Sequence, residues 1–239
     1  MNTGIDLRLI NEGVQEVQSS EHGHLSLETR GRVWASLGPT TPPDLTDPTL
    51  ESLESGHRRR FELLTVIADH VVLPAWRSES AFWRAHLEPQ RGPLCADSDS
   101  PSVVAALAQS RELTSAKVAA RGARYANFRQ YAYEIWDDAP RAVLCIEFVA
   151  GMLSVRVRDL AVGPDDYEIG NDRWKPDVYA CWAYAGSTHL YAQDRLVTAD
   201  DLRARREFWR WYLLVAVPLA VGVEPLATLK LAEREWPRS

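Results

Sequence analysis

The sequence predicts an all-α protein, a single multi-helix domain with a less regular N-terminal segment. Three observations carry that expectation. Apolar residues recur at steps of three and four along most of the chain. Helix-start residues precede several of these runs, with glycine or proline after them. Every clearly patterned element reads as helical, and two-residue alternation suited to a strand is noted in the tail Leu153–Leu160.

Taken in order, residues 1–24 are polar with scattered aliphatics and read as a peripheral N-terminal segment, leaving 25–239 as the helical domain. Leu25–Leu37 follows helical spacing through Leu27, Arg30, Val33, Trp34 and Leu37, and Gly38-Pro39 ends it. Residues 38–48 read as a loop, after which Asp47-Pro48 supplies a cap and a first-turn proline. From Arg58 to Trp76 the apolar face is broad enough for a central core helix. Pro74 cannot donate to the carbonyl of His70, so a kink or an end is expected there. Residues 88–100 read as a second loop, and Ser100-Pro101 starts another helix.

Ala116–Trp136 is helical in pattern, weakened at Gly122. Arg141–Asp159 suits a helix, although its tail from Leu153 also fits a strand. Residues 162–176 form an acidic loop, and two helices follow, roughly Asp177–Ala185 and Ala199–Ala220. The second opens with the cap Thr198 and crowds Phe208, Trp209, Trp211 and Tyr212 into five residues. No internal repeat is evident.

Composition narrows the function classes. With 239 residues, 46% hydrophobic and 25% charged, the chain can bury a sizeable core. The net charge of −6 resides in residues 1–57, where nine acids face Arg8, Arg30 and Arg32. No basic stripe is present, which argues against direct nucleic-acid binding. Three widely spaced cysteines, Cys95, Cys145 and Cys181, without a CxxC motif fit a reducing compartment. The N-terminus lacks a signal-peptide pattern, and the apolar run Trp211–Val223 is too short to span a bilayer. A soluble, cytoplasmic protein is the expectation.

Catalytic and metal motifs do not emerge. His22-x-His24 is the one close histidine pair and reads as two solvated imidazoles. A shared magnesium would need a further carboxylate one helical turn onward, whereas Asp137-Asp138 is followed by Ala139-Pro140-Arg141 and Asp165-Asp166 by Tyr167-Glu168-Ile169. Asp200-Asp201 is better explained as first-turn acids answering the helix dipole. Cys145 and Cys181 sit in apolar surroundings unsuited to a reactive thiolate. Arg58–Arg60 and the trio Arg203, Arg205 and Arg206 read as solvated helix faces. No catalytic residue, metal ligand or cofactor is assigned.

The stretch least explained by packing is the acidic loop. Asp165, Asp166, Tyr167, Glu168, Asp172, Trp174 and Asp177 interleave carboxylates with aromatics, the chemistry of a protein-binding surface. The structural alternative is a polar connector whose Trp174 tucks into the core.

Two C-terminal segments then matter together. They are Trp174-x-x-Asp177-Val178-Tyr179-Ala180-x-Trp182-Ala183 with Gly186, and Arg205-Arg206-Glu207-Phe208-Trp209-x-Trp211-Tyr212-Leu213 ending Ala216-Val217-Pro218. They resemble an all-helical family of bacterial polymorphic-toxin immunity proteins. The segments Phe61-x-Leu63, Ala68-x-His70-Val71 and Leu73-Pro74-x-Trp76, and the Leu27–Leu37 helix, are similar to that family too. The resemblance runs from about residue 25 to 220 and is thin over 85–130. Its motifs are packing motifs, so no functional residues carry over.

The resemblance implies a cytoplasmic antidote that binds a cognate toxin and blocks its active site or substrate groove. An acidic surface would suit a basic toxin such as a nuclease. Two other classes compete: a small helical metal-dependent enzyme using the aspartate pairs, and a helical regulatory or scaffold module. Metal titration separates the first of these, because a ligand of the native state raises its stability. The sequence leaves the oligomeric state and the toxin's identity open.

Overall fold

A computed structural model describes residues 5–38, 55–76, 140–157, 176–185 and 198–232. Every regular element among them is helical, as the sequence predicts. The expected helix starts at Asp47-Pro48 and Ser100-Pro101, and the helix Ala116–Trp136, fall outside these residues.

The N-terminal segment is not peripheral. Residues Leu7–Ser19 form α1, capped by Asp6, whose carboxylate accepts from the amides of Arg8 and Leu9 at 3.1 Å each. Leu9, Ile10, Gly13 and Val17 lie along one side and are buried in the common core. Helix α2, Leu27–Ser36, starts at Ser26, whose hydroxyl accepts from the Thr29 amide at 3.2 Å. Glu16 of α1 takes both the Ser26 amide and the Thr29 hydroxyl, and Arg32 reaches Glu12 at 2.8 Å. These contacts fix the α1–α2 hairpin.

Next comes α3, Ser55–Ile67, followed by a π turn over Ala68–Val72 and further helix over 73–76. Pro74 therefore neither ends nor breaks the helix. The preceding turn widens instead, with the Leu73 amide bonding five residues back to Ala68. That widening accommodates a ring that would crowd the His70 carbonyl in a regular turn.

Helix α4 is Pro140–Val157, which settles the ambiguous tail as helical to residue 157. Helix α5, Pro176–Ala185, packs along α4 and against α6. At Gly151 an added Cβ would sit 3.1 Å from Pro176 Cβ, so the α4–α5 approach depends on that glycine. Helix α6, Ala199–Trp211, runs into a second π turn, Tyr212–Ala216, and then α7, Val217–Ala220. The predicted capping box is present: the Asp201 amide donates to Thr198 Oγ1 at 3.1 Å, and the Thr198 amide to Asp201 at 3.3 Å.

The two long helices share one design. Each has 13 α-helical residues, a five-residue π turn, and a short α segment with proline in second place, Pro74 or Pro218. Each is preceded by a 10-residue helix, α2 or α5. The described helices thus fall into two trios, α1–α2–α3 and α4–α5–α6, a likeness that the sequence pattern does not announce. The trios interlock. Gly13 of α1 packs on Leu213 in the second π turn, while Cys145 of α4 lies 3.7 Å from the Val72 carbonyl that ends the first. A single core cluster draws residues from all these elements.

Candidate functional site

Of the acidic-loop residues, Asp165, Asp166, Tyr167, Glu168, Asp172 and Trp174 lie outside the described residues. Asp177 is described, and it faces inward. It stands in the first turn of α5 and is 4% exposed. Its Oδ1 accepts from the Val178 amide at 3.0 Å and from Arg30 Nη1 at 3.4 Å. Arg30 is equally buried, donates through Nε to the Leu25 carbonyl at 3.2 Å, and stands over the Trp209 ring at 5.8 Å. The expected partner-facing role of Asp177 is therefore replaced by an interior one. The pair joins α2 to the point where the acidic stretch enters α5.

A second correction concerns His24. It is part-buried rather than solvated, and its Nε2 lies 3.1 Å from Arg205 Nη1. A guanidinium only donates, so Nε2 must be the acceptor and the ring proton sits on Nδ1. Burial, then the charges of Arg205, Arg30 and His22, push the imidazole down to about 3. His22 is exposed, and His24 is committed to Arg205, so the two do not form a metal-ligand pair.

The basic clusters also divide differently from the expectation. Arg58 and Arg203 are exposed, but Arg60 and Arg205 are buried. Arg60 donates to the Trp34 carbonyl at 3.0 Å and to that of Gly38, and Arg59 donates to Leu37 at 3.3 Å. Arg141 donates to Ala183 at 2.8 Å, and Arg206 to Ser20 at 3.0 Å. Each acceptor lies at the C-terminal end of α1, α2 or α5, where carbonyls lack helical donors and the dipole favours a cation. These arginines close helix ends supplied by other elements.

The remaining chemical candidates resolve toward structure. Asp201 completes the capping box and Asp200 bridges Arg203 at 2.8 Å. Burial pushes the Cys181 thiol well above its ordinary range, and Cys145 is buried as well. Among the described residues, no group of three His, Cys, Asp or Glu side chains could hold a metal ion. No helix among them is long and apolar enough to cross a membrane.

One open surface feature stands out. Ala199, Leu202, Arg203, Arg206, Glu207 and Arg210 follow one face of α6 and line a groove of about 590 Å³. The turn at Gly23 packs closely on α6: its φ is +65°, and a Cβ there would meet the Leu202 carbonyl at 3.0 Å. The chain's C-terminal portion reaches the same face, where the Ala232 amide donates to Glu207 at 3.3 Å.

No curated protein matches the chain. A family described as immunity protein Imm5 does match, over residues 134–219, which contain α4, α5, α6 and the second π turn. The second trio is therefore the part of this chain that is similar to the Imm5 immunity proteins.

Proposed function

We propose that this protein is an immunity protein that binds a cognate toxin polypeptide and neutralises it by blocking its active site or substrate groove. The Imm5 match across the second trio carries the reading. The chemistry is compatible with it. Several polar groups of the second trio are committed to the first trio or to a helix end, as Arg30–Asp177, His24–Arg205 and Arg141–Ala183 illustrate.

The acidic stretch Asp165, Asp166, Tyr167, Glu168, Asp172 and Trp174 is the proposed partner surface. Asp177 at its end acts as an inward anchor. Carboxylates there would accelerate encounter with a basic toxin such as a nuclease, and the aromatics would supply buried contact. The protein would act in the cytoplasm, where its toxin acts.

Co-expression with the toxin encoded beside its gene tests the reading. Protected cells and a complex on gel filtration are expected. Unprotected cells with no complex would overturn it. Reversing Asp165, Asp166 and Glu168 to Lys should slow association while leaving the melting temperature nearly unchanged.

A further inference from the structure

We infer that the arginine-lined groove on α6 is a docking surface for a carboxylate-bearing segment of the toxin, an inference that rests on the immunity reading. Among the described residues the face presents three guanidinium groups, Arg203, Arg206 and Arg210, with the carboxylates of Glu207 and, beside Arg203, Asp200. Arg210 is exposed and makes no hydrogen bond or ion pair among the described residues. Arg203 is held only by its exposed neighbour Asp200, a bridge of little energetic weight that a better-placed carboxylate would displace. Arg206 is fixed by the Ser20 carbonyl through Nη2, while its enclosed Nε has no hydrogen-bond partner. Arginine rather than lysine at all three places favours planar, two-point recognition of carboxylates. Ala199 and Leu202 supply an apolar floor between the charges.

The twin helix shows that this face is not demanded by the fold. In α3 the corresponding positions are Arg59, Glu62, Leu63 and Val66. There Arg59 is tied to the Leu37 carbonyl, Leu63 is fully buried, and Glu62 replaces the central arginine. One design used twice carries a tied arginine, a buried leucine and an exposed glutamate on α3, and three arginines on α6. The copy with three arginines lies within residues 134–219, the stretch similar to Imm5. In a chain of net charge −6, a local basic groove marks an acidic partner segment, with apolar residues among its carboxylates to match Leu202.

The test uses the full chain and the C-terminal domain of the toxin encoded beside its gene. Arg203→Glu with Arg210→Glu should weaken the complex by about tenfold or more, with the melting temperature unchanged and the salt dependence of binding altered. Arg210→Glu alone, at a side chain with no hydrogen bond or ion pair among the described residues, should show a smaller loss of the same sign. A complex of unchanged affinity in both variants makes this face merely solvated and overturns the inference while leaving the immunity reading intact. A wild-type chain that neither binds nor protects overturns both.

Discussion

The Leu226 amide donates to the Leu214 carbonyl at 2.8 Å, the acceptor whose regular α-helical donor would have come from position 218, a proline. The second π turn and the returning chain together resolve the defect that Pro218 introduces. Leu226→Pro removes this donor and should cost about 1–3 kcal/mol in urea unfolding. Leu226→Ala keeps the amide and, because the side chain is exposed, should change stability by less than about 0.5 kcal/mol. Equal effects of the two variants would show that the side chain, not the amide, matters.

Asp177→Ala removes the carboxylate that buried Arg30 reaches at 3.4 Å and should destabilise by about 1.5–3 kcal/mol, the range for a hydrogen bond to a charged group. Asp177→Asn keeps an acceptor for the Val178 amide and should cost less. Chemical denaturation of both variants checks the order.

His24 makes stability fall in acid. The imidazole is neutral when folded, with its value pushed to about 3, but titrates near 6.5 when unfolded. The unfolded chain therefore binds the extra proton first as pH drops. Stability from this group is complete above about pH 6.5 and declines toward about pH 3, with a limiting slope of about 1.4 kcal/mol per pH unit. A urea series across that range should show the decline in wild type and a shallower one in His24→Gln.

Gly23→Ala tests the seam between the α1–α2 turn and α6. A side chain there meets both an unfavourable φ of +65° and the Leu202 backbone. The left-handed conformation alone costs about 1–2 kcal/mol, so a loss of at least that size is expected in thermal unfolding. An unaffected melting temperature would mean that the turn shifts freely.

Much of the helical pattern was readable because its signals are local. Thr198 caps a helix, and Phe208–Tyr212 mark a core face. Helix α1 announced itself only through Asp6 and the spacing of Leu9, Ile10, Gly13 and Val17, which its polar neighbours obscured. Buried Arg60 and Arg205 were hidden in charge runs. Their phase gives them away, since Arg60 precedes Leu64 and Arg205 precedes Trp209 by one turn on the buried stripe. The likeness of the two trios rests on spacing more than identity. Trp34-Ala35-Ser36-Leu37-Gly38 against Trp182-Ala183-Tyr184-Ala185-Gly186 is its clearest trace. The inward turn of Asp177 could not be read from its acidic surroundings, because its partner is 147 residues away in sequence.

The interlocking of the trios bears on where this protein can be cut. The stretch similar to Imm5 begins at residue 134, yet its interior is completed from upstream. Arg30 answers Asp177, His24 answers Arg205, and the Ser20 carbonyl answers Arg206. Expressed alone, residues 134–219 would carry an orphaned carboxylate and the bare flank that α1 covers. The edge of recognisable kinship is not an edge of packing, because Ser20, His24 and Arg30 supply partners that this stretch does not contain.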